Sequence, residues 1–234
     1  DPKTEQEEKN EKEKKDVILV DQNFKYSHIY LKTFSTEIDT LKADRITKGQ
    51  YDITSFSWGP NGNKIVFSQS LEPTFNSRYV SGDISIVNVK SKTIRSLVTM
   101  GGNDTNPIFT PDGKSIIFTS DGDEVEPIGL RDVYKISSNG GKPKKLAETP
   151  NRSASIINSS SNSNFVYVFD SNKTKSEIYK ISLNNKDIKP MLNLNGRISS
   201  PAISNNSRQI GFVKQELDKP SEVFVSELNA INPK

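Results

Sequence analysis

The sequence predicts an all-β fold assembled from repeated units of four-stranded antiparallel sheet. Short runs rich in Ile, Val, Phe and Tyr alternate with clusters of Gly, Pro, Asn, Asp and Ser every eight to twelve residues, the rhythm of a chain that turns back on itself after each short strand. No sustained helical periodicity competes with that pattern. The stretch "WGPNGNKIVFSQ" at 58–69 returns as "FTPDGKSIIFTS" at 109–120, and internal repetition at this period decides the architecture.

The turn is the anchor of each repeat. Pro60-Asn61-Gly62 aligns with Pro111-Asp112-Gly113, and fainter copies stand at Ser161-Asn162-Ser163 and Asn205-Asn206-Ser207, so successive copies start 51, 50 and 44 residues apart. Proline presets φ for the first central position of a β-turn, Asn or Asp tolerates the second, and Gly takes the positive φ of the exit. Trp58 and Phe109, two residues ahead of the turn, are expected to fill the space between neighbouring sheets. After the turn come Ile65-Val66-Phe67, Ile116-Ile117-Phe118, Val166-Tyr167-Val168 and Ile210-Gly211-Phe212. The next strand opens on a polar residue and then alternates: Asp83-Ile84, Asp132-Val133, Glu177-Ile178 and Glu222-Val223, with His28-Ile29 as an earlier copy. A last element such as "IRSLVT" at 94–99 or "PKKLAE" at 143–148 closes the unit.

A unit of this size cannot bury both faces of its own sheet, so the copies must stack side by side as blades. The prediction is a partial β-propeller of about four to five blades, with units at about 16–47, 53–99, 104–147, 154–194 and 198–229. Residues 1–15, nearly all Lys, Glu and polar amides, are expected to be a solvated, disordered linker ahead of it. The blade count and the two partial terminal units predict a fragment of a longer propeller, or a ring closed by another molecule. Open blade edges carry an expectation of self-association.

Composition narrows the function. The 32 basic and 29 acidic residues are interspersed and leave a net charge of +3, so no single-sign field points to nucleic acid or an anionic membrane. No apolar run approaches the roughly 20 residues of a membrane-spanning helix. The absence of cysteine excludes disulfides and thiolate chemistry. A serine hydrolase of the Gly-x-Ser-x-Gly type needs two glycines four residues apart and a histidine base. No glycine pair has that spacing, and the single histidine, His28, sits in a strand-like repeat position, so the chain alone is expected to be inactive. No cofactor or metal motif is complete; Asp121, Asp123 and Glu126 do not finish a calcium-loop pattern.

The repeated turn and strand resemble the propeller repeats shared by TolB-like proteins and the prolyl-oligopeptidase family of serine peptidases. Segments outside the turn, "YSHIYL" at 26–31, "RITKGQYDITSFSWGPNGNKIVFSQ" at 45–69, "GRISSPAISNNSRQIGFVKQ" at 196–215 and "KPSEVFVSELNA" at 219–230, are similar to the dipeptidyl and acylaminoacyl peptidase branch. The resemblance implies a propeller that gates access of peptide substrates to an α/β-hydrolase domain of the same parent chain, in a periplasmic or secreted protein, with a cytoplasmic one as the alternative. A TolB-like module binding protein or glycan, without activity, is the other implied function. Two long loops, 70–82 and 121–131, interrupt neighbouring units at the same point and are expected to share one face as the rim of a cleft. Their polar side chains, Glu72, Arg78, Asp121, Asp123, Glu124, Glu126 and Arg131, are the candidate substrate contacts.

Overall fold

A computed structural model describes residues 3–15, 25–33, 42–74, 76–125, 129–191 and 196–229. Helix α1 (Glu5–Lys12) comes first, within the charged N-terminal stretch. Thr4 caps it, accepting from the Glu7 N–H while the Glu7 carboxylate returns to the Thr4 N–H. Acids in its first turn and lysines in its last suit the helix dipole, and it buries no residue.

Strands β1 (Tyr30–Leu31) and β2 (Asp44–Arg45) form a two-stranded sheet. Three complete antiparallel sheets follow. The first contains β3 (Asp52–Trp58), β4 (Lys64–Ser70), β5 (Asp83–Asn88) and β6 (Ile94–Val98), with helix α2 (Ser77–Val80) between β4 and β5. The second contains β7 (Thr105–Phe109), β8 (Ser115–Ser120), β9 (Asp132–Ser137) and β10 (Lys144–Lys145). The third contains β11 (Ser155–Ser159), β12 (Phe165–Asn172), β13 (Lys175–Ser182) and β14 (Ile188–Pro190). A last sheet contains β15 (Arg197–Ile203), β16 (Gln209–Glu216) and β17 (Lys219–Glu227). Each sheet runs in chain order, and the first strands of successive sheets lie against one another, β3 on β7, β7 on β11 and β11 on β15. This is an open, partial propeller.

The apolar middle strands follow from the pleat. Successive side chains of a strand point to opposite faces, so a strand buried on both faces is apolar at every position. Ile65 and Phe67 pack back onto Ile29 and Ile46, whereas Val66 between them packs forward onto Ile116 and Phe118. Ile117 in turn meets Val166 and Val168, and Tyr167 meets Ile210 and Phe212. The core is thus a series of four inter-sheet layers rather than one centre.

The four turns are the same turn. The residue opening each accepts a hydrogen bond from the N–H three positions on, as in Gly62 to Gly59, Gly113 to Thr110, Ser163 to Ser160 and Ser207 to Ser204. All four donors sit at positive φ: 68° and 69° for the glycines, 56° and 55° for the serines. An L-residue in that region is held at some cost, and the two serines give an evident return. The Ser163 hydroxyl accepts from the Asp112 N–H at 3.1 Å and the Ser207 hydroxyl accepts from the Ser161 N–H at 2.9 Å, tying each turn to the one before.

Trp58 corrects the expectation of core packing, since it is 45% exposed. Its counterpart Phe109 packs against the layer between the first two full sheets, with its ring edge over Gly59. We expect the single tryptophan to show red-shifted emission, quenched readily by acrylamide; blue-shifted, protected emission would contradict this placement.

Candidate functional site

Both long loops leave their sheets between the second and third strands. Parallel bridges from Gly82 to Asn103 and from Arg131 to Ser153 seal each loop's end against the start of the next sheet. The loops therefore emerge at one end of the stack, beside the connection that leads into the following blade.

In the first loop, Glu72 is exposed and lines a surface cavity of about 870 Å³ with Tyr26, Leu71, Thr74 and Ser81. The Arg78 side chain lies outside the described residues, as does Glu126 in the second loop. Asp123 and Glu124 are exposed. Asp121 and Arg131 come together: the Asp121 side chain is 1% exposed, that of Arg131 is 29% exposed, and Arg131 Nε lies 3.8 Å from Asp121 Oδ1. That distance is electrostatic contact without a hydrogen bond. Among the described candidates, Asp121 and Arg131 are thus neighbours, while Glu72 lies at a separate cavity.

Residues outside the predicted set complete the site. Asp104, at the entry to β7, is wholly buried. Its Oδ2 accepts from the Met100 N–H at 3.0 Å, while Oδ1 is buried without a hydrogen-bond partner. Burial pushes its carboxyl up to about 6; hydrogen bonds from the Ser120 hydroxyl and the Met100 N–H oppose that rise, and the charges of Asp83 and Asp121 add to it. Asp83, at the start of β5, is also raised by burial. Glycines let the loop come this close: a Cβ on Gly101 would lie 2.0 Å from the Asp123 carbonyl oxygen, and the Gly102 N–H donates to the Gly122 carbonyl at 2.9 Å.

The next blade solves the same problem differently. Asp132, which occupies in β9 the place of Asp83 in β5, is 3% exposed and is held by Lys145 Nζ at 2.6 Å and by an Arg152 terminal nitrogen at 2.8 Å. Burial alone would raise Asp132, but hydrogen bonds from Arg152 and Lys145 outweigh it and hold the carboxyl below its ordinary range. Aligned through the strand register and the two bridges, the positions of Lys145 and Arg152 are Ser96 and Gly102 in the preceding blade. The first complete blade carries the carboxylate without those two cations.

In front of the acids lies a cleft of about 350 Å³, lined by Ser55, Tyr79, Asn103, Thr105, Asn106 and Arg131. A bulge in β7 between Thr105 and Ile108 places Asn106 at φ 52°, and its N–H donates to the Ser55 hydroxyl of the neighbouring sheet at 3.2 Å. Asn103 Nδ2 donates to the Tyr79 carbonyl at 3.0 Å. The cleft therefore combines one guanidinium with two carboxamides at the seam of two blades. Among the described residues no group of three or more His, Cys, Asp or Glu is arranged to hold a metal ion, and the lining suits hydrogen-bonding groups.

Stacked four-stranded sheets joined by one repeated turn define a propeller-type scaffold. Residues 11–232 match the TolB beta propeller domain family, and the chain belongs to it. It is also similar to dipeptidyl-peptidase 5 of Porphyromonas gingivalis, 29% identical over 136 residues, which is 56% of this chain and 19% of that protein. The matched region thus spans about a fifth of that relative's length. Among solved structures, TolB from Acinetobacter baumannii superposes with a TM-score of 0.62 at 16% identity, over 84% of this chain and 46% of that one. A prolyl endopeptidase superposes with a TM-score of 0.66 at 12% identity, over 92% and 32%. At such identities these two establish the fold.

Proposed function

We propose that this chain is the non-catalytic propeller portion of a serine peptidase acting on peptides, gating substrate access and docking onto an α/β-hydrolase domain of the same parent polypeptide. The observation that carries the reading is the sequence relationship to dipeptidyl-peptidase 5. Two features support it: both long loops leave at one end of the stack, and the sequence has neither a nucleophile elbow nor a histidine outside His28. Its setting on this reading is periplasmic or secreted, consistent with a chain that has no cysteine to misoxidise.

The test is to sequence the source gene on both sides of this segment. An open frame carrying Gly-x-Ser-x-Gly, then Asp, then His after Lys234 is the expected result. A stop codon soon after Lys234 would replace the peptidase reading with a TolB-like binding module for protein or glycan partners, which the likeness to TolB favours as second choice.

A further inference from the structure

We propose that the end of the stack opposite the long loops is a docking surface for an anionic phospholipid bilayer, carried by lysines at the hairpin tips of the first two complete sheets. The inference does not depend on the peptidase reading.

Antiparallel strands send alternate connections to opposite ends of a sheet. The loops 70–82 and 121–131 and the crossings to the next blade lie at one end, and the turns from first to second strand and from third to fourth lie at the other. In the first two complete sheets those turns occupy 59–64, 88–94, 110–115 and 137–144. They hold six lysines, Lys64, Lys90, Lys92, Lys114, Lys142 and Lys144, against a single acid, Asp112. All six lysines are exposed. Lys92 pairs with Asp44 at 2.6 Å, while the other five form no ion pair with a described residue. Every other described acid from Asp52 to Glu148 lies toward the loop end, Asp83, Asp121, Asp123 and Asp132 among them. Signs that alternate along the chain are thus sorted by the fold into two ends.

The tips stand level. A Cβ on Gly113 would lie 3.2 Å from Pro60, so the inner turns of the two sheets touch. An Arg95 terminal nitrogen donates to the Ser138 carbonyl at 2.7 Å and ties the outer turns together. Packed sheets are about 10 Å apart and the screening length at physiological salt is about 8 Å, so the lysines act as one field. A cluster of about four to eight basic residues is what an anionic leaflet attracts. Shape then selects among polyanions. A level face of two rows meets a plane with all its tips, whereas a nucleic-acid rod would touch one row, and no aromatic residue within the four turns offers a base a stacking partner. The turns expose no large apolar side chain either, so the contact is electrostatic and reversible. Docked in this way, the chain turns its acidic loop end away from the bilayer.

The experiment sediments the full chain with vesicles of phosphatidylcholine containing about 30% phosphatidylglycerol, and with vesicles of phosphatidylcholine alone. Binding to the anionic vesicles at low salt, its loss at about 0.5 M salt, and no binding to the neutral vesicles are the expected results. Each lysine near such a surface adds about fivefold to partitioning, so Lys64→Gln/Lys142→Gln should bind about 25-fold more weakly. Lys48→Gln/Lys175→Gln removes the same charge at the loop end, also from exposed positions, and should bind as the native chain does. No binding to anionic vesicles, binding that survives high salt, equal losses in the two double variants, or tighter binding to duplex DNA than to the vesicles at equal salt would each overturn the inference.

Discussion

Asp104→Asn is expected to stabilise the protein at neutral pH by about 1–3 kcal/mol. The carboxyl is raised from 3.8 to about 6 by burial, and a tenfold change in proton affinity between the folded and unfolded chain corresponds to about 1.4 kcal/mol, so about 3 kcal/mol is the ceiling. A carboxyl with a raised folded pKa binds its proton more tightly when folded, so its favourable contribution is complete below the unfolded value and is lost as pH rises through the folded one. The native protein should therefore lose stability between about pH 4 and 6.5, and the Asn variant should not show that component. Asparagine keeps an acceptor for the Met100 N–H and removes the charge. Urea unfolding at several pH values decides it; a variant less stable than the native protein at pH 7.5 would show that an ionised Asp104 is compensated in some other way.

Asp132→Asn should act in the opposite direction. It leaves Lys145 and Arg152 facing a neutral group, and breaking one member of a buried ion pair costs several kcal/mol. Because both cations are about a third exposed, the expected loss is about 2–4 kcal/mol. Asp132 is held below its ordinary range, so its contribution is present above the unfolded pKa and fades as pH falls through the folded one. Native and variant curves should converge in acid. Equal stability at pH 7 would mean that the two cations find water or Glu148 an adequate substitute.

The contrast between these two aspartates also marks how far a local reading of the sequence reaches. The architecture was legible because a turn that needs positive φ and a strand buried on both faces each leave a local signature, and those signatures recur. The acid at the head of each third strand was legible too, as Asp83, Asp132, Glu177 and Glu222. Whether such an acid is neutralised depends on residues a strand and a blade connection away, Lys145 and Arg152 in one case, Ser96 and Gly102 in the other, and no local pattern reports that pairing. Of the candidate loop residues, Asp121 and Arg131 are neighbours at the two ends of the loop, Arg131 in the bridge to Ser153 and Asp121 beside the Gly122 carbonyl that accepts from the Gly102 N–H, whereas Asp123 and Glu124 are exposed. Asn103 and Asn106 read as ordinary turn-rich composition, and only the bulge gives Asn106 its place. Trp58 departs from its counterpart Phe109 in its exposure, a difference that the repeat itself does not carry.

The serines at 163 and 207 look, in an alignment, like the decay of an ancestral glycine. Their hydroxyls hold the backbone of the preceding turn, across 51 and 46 residues of chain. Restoring the consensus glycine at either place would relax the local backbone and at the same time cut a strap between neighbours. A designer who idealised this repeat by averaging its copies would obtain better individual modules and a looser array, because here the irregular letters of the repeat are the ones that hold it together.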